Sequence, residues 1–220
     1  IYIRRNQIMK KIISGGTGEF TDKKSRFIAN IYHIEDEDMA VKIIEQLRKK
    51  YWDARHNCYA YVLGDKSEIQ RFSDDGEPSG TAGKPILEVI TGNECGNCLC
   101  VVTRYFGGVL LGTGGLIRAY TNAAKEALAV CRLGELTEGV HAFLDVDYNY
   151  VGKVQYICAQ NDITIVNTEY ADGVTFELMM ENAARNVLEK NMTEMSSGKI
   201  CLRDTCSMQM YRDDTGKLCR

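Results

Sequence analysis

The run RYFGGVLLGTGGLIRAY, residues 104–120, places Gly107, Gly108, Gly112, Gly114 and Gly115 between an apolar segment and a long amphipathic one. Neither a strand nor a helix accepts so many glycines in its interior, because each adds backbone entropy and offers no side chain to pack. The run therefore predicts a junction at which a strand hands over to a helix. NCLCVVTRYF (97–106) reads as the buried strand. GLIRAYTNAAKEALAVC (115–131) reads as the helix, with Leu116, Ala119, Tyr120, Ala123, Ala127 and Leu128 inward. Unpaired N–H groups at such a helix start, with Thr113 as a cap and Arg104, Arg118 and Lys84 nearby, would suit a phosphate or another anion. The run is not a nucleotide loop of known type: the Gly-Lys-Ser/Thr of a Walker loop is missing and the spacing differs from the dinucleotide fingerprint. The plainer account is that the glycines serve only positive φ angles and close packing of helix on strand.

Similar reasoning organises the rest of the chain. KKSRFIANIYHI (23–34) reads as a strand, and Asp36 is placed to cap a helix over 36–52 whose stripe is Met39, Ala40, Ile43, Ile44 and Leu47. Acids open that helix and Arg48, Lys49 and Lys50 close it, as its dipole prefers. HNCYAYVLG (56–64) and SEIQRFS (67–73) read as two strands turning at Gly64 and Asp65, and KPILEVITG (84–92) as a helix. Past LGELTEG (133–139), taken as a separator, come a strand (140–148), a helix (150–161), a strand (163–170), a tight turn at ADG, a strand (174–180), a helix (182–195) and a closing strand (199–211). That order, β-α-β-β-α-β, is the ferredoxin-like split unit. The expected fold class is α+β: a two-layer α/β domain over residues 1–135, with 1–8 a leader before a start at Met9, then a ferredoxin-like domain over 136–211 and a frayed polar tail over 212–220.

A second motif, DDGEPSGTAGKP (74–85), gathers Asp74, Asp75, Glu77 and Ser79 among glycines and both prolines of the chain. Two or three carboxylates in one loop could hold Mg²⁺ or act with His56 in acid–base chemistry. Asp-Gly and Glu-Pro-Ser-Gly are also turn chemistry, in which carboxylates bind local N–H groups, and this is the favoured account. Only three histidines are present, and neither His-Glu-x-x-His nor Gly-x-Ser-x-Gly occurs. CGNCLC (95–100) gives Cys95 and Cys98 the spacing of half a zinc site, but no second pair matches it. Cys98 and Cys100 fall on alternate strand positions, where buried thiols pack as small apolar groups. Trp52 is expected in the core or at its boundary. No cofactor and no metal are called for.

The charges weigh against a strong duplex binder. Net charge is −3, and residues 1–136 hold 19 Lys+Arg against 17 Asp+Glu, while residues 137–220 hold 8 against 13. Any nucleic-acid contact must therefore be local. Nine cysteines, odd in number and irregular in spacing, fit reduced thiols. With no apolar run of membrane length and no signal-peptide pattern, a cytoplasmic protein is expected.

Taken together, KSRFIA, HNCYAYVLG, DDGEPSGTAGKP and VTRYFGGVLLGTGGLIRAY resemble the IMPACT/YigZ family over residues 24–130, and the second block is similar to the C-terminal domain of its bacterial members. The resemblance implies a first domain with the fold named for the second domain of a small-subunit ribosomal protein, and a second domain like one of elongation factor G. Eukaryotic relatives act in translational control under amino-acid starvation and carry an additional RWD domain, which this chain is not expected to include. The CGNCLC cluster departs from the family pattern. The leading expectation is a non-enzymatic, translation-linked regulator that presents an anion-compatible surface to RNA, the ribosome or a translation factor. The rivals are a small metal-dependent hydrolase using His56 with Asp74, Asp75 and Glu77, and an interaction module whose acidic second domain binds a basic partner.

Overall fold

A computed structural model describes residues 10–64, 67–213 and 215–219. The expected leader, the start at Met9 and the Asp65 half of the predicted turn lie outside the described residues. The chain divides into two compact units between Gly134 and Glu135.

In the first unit the elements run β1 (Lys10–Ser14), β2 (Thr17–Asp22), β3 (Ser25–His33), α1 (Glu37–Lys50), β4 (His56–Leu63), β5 (Ile69–Ser73), α2 (Gly83–Gly92), β6 (Cys95–Gly96), β7 (Cys98–Tyr105) and α3 (Gly112–Ala129). Five strands form an antiparallel sheet in the order β2-β3-β7-β4-β5. Its period-two alternation divides the side chains between two cores. Cys58, Ala60, Val62, Cys98, Cys100 and Val102 pack with α2 and α3, whereas Tyr61, Leu63, Leu99 and Val101 pack with Ala40, Ile44 and Leu47 of α1. The sheet thus carries helices on both faces, which refines the expected two layers and explains why β7 is a nearly unbroken buried run. Short β1 and β6 pair in parallel and bring Ile12, only 1% exposed, to the larger core.

Local chemistry accounts for the helix limits. Asp36 caps α1 by accepting from the Met39 amide at 2.6 Å, and the basic residues Arg48, Lys49 and Lys50 close its last turn. Helix α3 begins at Gly112, three residues earlier than the hydrophobic stripe implies, and Thr113 is its second residue rather than its cap. Leu111 takes the cap position and no side chain caps it.

The second unit holds the greater part of β8 (Arg132–Val146), then a short 3₁₀ turn, α4 (Val151–Gln160), β9 (Thr164–Tyr170), β10 (Val174–Glu181), α5 (Asn182–Ser196), β11 (Leu202–Asp213) and β12 (Leu218–Cys219). β10 pairs antiparallel with both β8 and β9, and β11 lies beside β8. The resulting order, β9-β10-β8-β11, is that of a ferredoxin-like unit. Val154, Ile157 and Cys158 of α4 and Leu188 and Met192 of α5 close over the sheet residues Leu144, Phe176 and Leu178. Two expectations change here. LGELTEG, expected to be a separator, lies within β8. Part of the expected frayed tail is structured among the described residues: β12 pairs with β11, and Leu218, 1% exposed, packs with Met179 and Met210. No helix among the described residues is long and apolar enough to cross a membrane.

Candidate functional site

The acidic loop closes on its own backbone. Asp74 Oδ1 accepts from the amides of Ala82 at 3.0 Å and Gly83 at 2.8 Å, and its Oδ2 accepts from the Gly80 amide at 2.8 Å. Asp75 accepts from the Asn57 amide at 2.7 Å and from Arg48 at 2.7 Å. Each carboxylate therefore substitutes for backbone acceptors that a glycine-rich turn cannot supply. Ser79 is exposed on this loop. The loop leads into α2 through Gly83, where an added Cβ would stand 2.8 Å from the Ser73 backbone. We expect Gly83→Ala to destabilise the protein by about 1–3 kcal/mol in urea denaturation, the usual range for overpacking, because backbone cannot yield as a side-chain tip can. An unchanged midpoint would contradict this close approach.

Glu77 behaves differently. It is buried, and its Oε1 accepts from Arg104 Nη1 at 2.5 Å and from the Tyr120 hydroxyl at 2.8 Å. The Arg104 guanidinium lies between two rings, 5.4 Å from Phe27 and 5.6 Å from Phe106. Cys58 Sγ approaches both the Tyr120 oxygen and the Asp74 carbonyl, and burial pushes the Cys58 thiol and the Tyr120 hydroxyl far up, so both stay protonated. His56, at the start of β4, donates from Nδ1 to the Asp75 carbonyl at 2.8 Å, since a carbonyl oxygen can only accept. Its Nε2 then faces Glu77 Oε1 at 4.0 Å.

His56, Glu77 and Arg104 line a cavity of about 360 Å³ with Arg55, Pro78, Phe106, Leu110, Gly112 and Thr113. The volume is that of a small-molecule site. Side-chain exposure is 4% for Glu77 and 7% for Arg104, while Leu110 is 82% exposed, which sets a polar inner end against an apolar mouth. The first turn of α3 opens here, with Gly112, Thr113 and Gly114 exposed and no side-chain cap. Arg55 lies over the Phe106 ring at 5.8 Å. Trp52 is 82% exposed rather than packed, because it falls on the turn beyond the last inward position of α1. That turn is tied to the end of β7 by Tyr105, whose hydroxyl donates to Asp53 at 2.9 Å.

Of the two arginines expected at the glycine run, Arg104 lines the cavity with Gly112 and Thr113, and Arg118 is not among the lining residues. Arg104 is neutralised by Glu77, and Arg118 and Lys84 are exposed on their helices without lining the cavity. Of the glycines, Gly112 lines it, while Gly107, Gly108, Gly114 and Gly115 build the approach and the first turn. Sequence reading missed Arg55, Phe106 and Leu110 as wall residues and Tyr120 as a partner of Glu77. Two signals were available: a tyrosine on an inward helix stripe requires a partner for its hydroxyl, and an arginine ending a buried strand requires a carboxylate.

Asp74, Asp75 and Glu77 are engaged with separate partners, and among the described residues no three His, Cys, Asp or Glu side chains are arranged to hold a metal ion. Cys95, Cys98 and Cys100 are buried in β6 and β7, and burial pushes the Cys95 thiol up to about 11 and the Cys98 and Cys100 thiols well above their ordinary value. Protonated thiols are poor nucleophiles. In the second unit, Asp145 and Glu181 are paired with Arg203 and Arg212, and His141 meets Glu177 at 2.7 Å.

Comparison with known proteins places this architecture. The Impact N-terminal domain family matches residues 23–128, and a domain of unknown function matches residues 144–199. "IMPACT family member YvyE" of Bacillus subtilis (strain 168) is 38% identical over 191 residues, covering 86% of this chain and 87% of that protein. The chain belongs to the IMPACT family. Another member, YigZ of Escherichia coli (strain K12), is 36% identical over 182 residues, 82% of this chain and 89% of its own length. A crystal structure of a hypothetical protein, 34% identical, aligns with a TM-score of 0.57 over 88% of this chain and 95% of that one. The Impact N-terminal match spans the acidic loop, the glycine run and every residue named above as lining the cavity.

Proposed function

We propose that this IMPACT family protein is a non-enzymatic, translation-linked regulator that binds single-stranded RNA, free or on the ribosome, across the cavity mouth of its N-terminal unit. The observation that carries the reading is the grouping of Arg55 and Phe106 beside the uncapped start of α3. Single-stranded nucleic acid is held by a cation that follows the phosphates and by aromatic faces on which bases stack. Arg55 and the α3 amides supply the first, and Phe106 with exposed Trp52 supplies the second. The translational link follows family membership and the kinship of both domains to folds of the translation machinery, which is an argument by analogy.

The test is fluorescence anisotropy with a short labelled single-stranded RNA over a salt series. Binding is expected to weaken as salt rises, as phosphate contacts require. The double variant Trp52→Ala/Arg55→Ala is expected to lose about tenfold or more in affinity, the effect of one lost stacking platform and one phosphate contact. Absence of binding at low salt, or an affinity indifferent to both substitutions, would refute the reading.

A further inference from the structure

The mouth of the cavity accounts for phosphate and stacking but leaves the inner end unexplained. All partners of Glu77 among the described residues meet Oε1, so Oε2 keeps its lone pairs. With Nδ1–H given to the Asp75 carbonyl, the neutral tautomer of His56 has an acceptor at Nε2, which stands 4.0 Å from the same carboxylate, too far for a hydrogen bond. Arg104 spends one Nη1–H on Glu77, and its Nε is buried without a hydrogen-bond partner. The inner end therefore offers acceptors on Glu77 and His56 and unspent N–H groups of Arg104 inside apolar walls formed by Phe106, Leu110, Leu111 and Leu116. Buried polar groups of this kind reject any ligand that leaves them unpaired.

We infer that the cavity is a nucleobase pocket selective for guanine in single-stranded RNA. This inference rests on the RNA-binding reading above and adds the identity of the base. Guanine alone among the RNA bases carries two neighbouring donors, N1–H and the N2 amino group, on its Watson–Crick edge, with the O6 acceptor beside them. Adenine sets one donor beside one acceptor, cytosine one donor beside two acceptors, and uracil has a single donor between two acceptors. The flat purine would lie against the Phe106 ring and the leucines, and its phosphate would remain at the mouth near Arg55 and the α3 amides.

The experiment uses the full chain and four uridine octamers that differ only at one central position, carrying G, A, C or U, with affinity read by anisotropy. The G octamer is expected to bind at least about tenfold more tightly than the other three, the discrimination of one well-placed pair of hydrogen bonds. Glu77→Gln, which puts an amide in place of the carboxylate, is expected to abolish that preference. Because Glu77 also holds Arg104, Thr113→Trp is the companion variant: it fills the mouth from an exposed helix position and is expected to remove the preference without disturbing the fold. Equal affinity for the four octamers overturns the inference and leaves the RNA-binding reading standing. A preference that survives in Thr113→Trp also overturns it. If none of the four binds, the RNA-binding reading itself falls.

Discussion

Glu77→Ala is expected to cost about 3–5 kcal/mol of stability in urea denaturation, because it leaves the buried Arg104 guanidinium without its counter-ion. Two donors lose their acceptor at once, Arg104 Nη1 and the Tyr120 hydroxyl, and neither faces open water. The reason lies in topology. Glu77 stands on the loop after β5, Arg104 at the end of β7 and Tyr120 within α3, so one carboxylate ties together three segments distant in sequence. Replacing Glu77 and Arg104 together with apolar residues of similar volume is expected to recover much of the loss, since the penalty comes from the unpaired charge more than from the absent attraction. A single-variant loss below about 1 kcal/mol would show that water reaches the guanidinium and that this pair does not hold the domain together.

Asp74→Ala is expected to have the next largest effect, about 3 kcal/mol, from three amides that lose charge-assisted hydrogen bonds in a partly buried loop. Its signature is separable from that of Glu77. The amides of Gly80, Ala82 and Gly83 should exchange with solvent much faster in the variant, while the central strands β3 and β7 keep their relative protection. Unchanged exchange at those three amides would contradict the role assigned to the Asp74 carboxylate.

How far the fold could be read from residues depended on whether a segment stabilises itself locally. Helix α1 was legible because its cap, stripe and terminal charges all point the same way. The β-α-β-β-α-β order was legible because hydrophobic periodicity changes cleanly between elements. Strands β1 and β2 were not: KKIIS and TGEFTD are short, and β2 alternates between exposed and half-buried positions without a fully buried residue. Their structure comes from pairing, β2 against β3 and β1 against β6. The first half of β8, with Gly134 and Gly139, likewise has weak strand propensity. In the candidate site the loop carbonyls, amides and Asp74 follow turn rules, so an architectural role was readable. The meeting of Glu77 with Arg104 and Tyr120 was not, because it depends on which strand ends the sheet brings together. Arg104 was read as facing an anionic ligand, and it faces an anionic side chain instead.

The slot that Arg104 occupies also restricts which residue can stand there. Its flat delocalised group lies between the rings of Phe27 and Phe106 while one edge meets Glu77. An ammonium of equal charge has no plane to insert between the rings and holds its water more tightly, so a conservative exchange to lysine keeps the sign of the charge but not the fit. At this position shape and charge are a joint requirement, and preserving charge alone is not a neutral change.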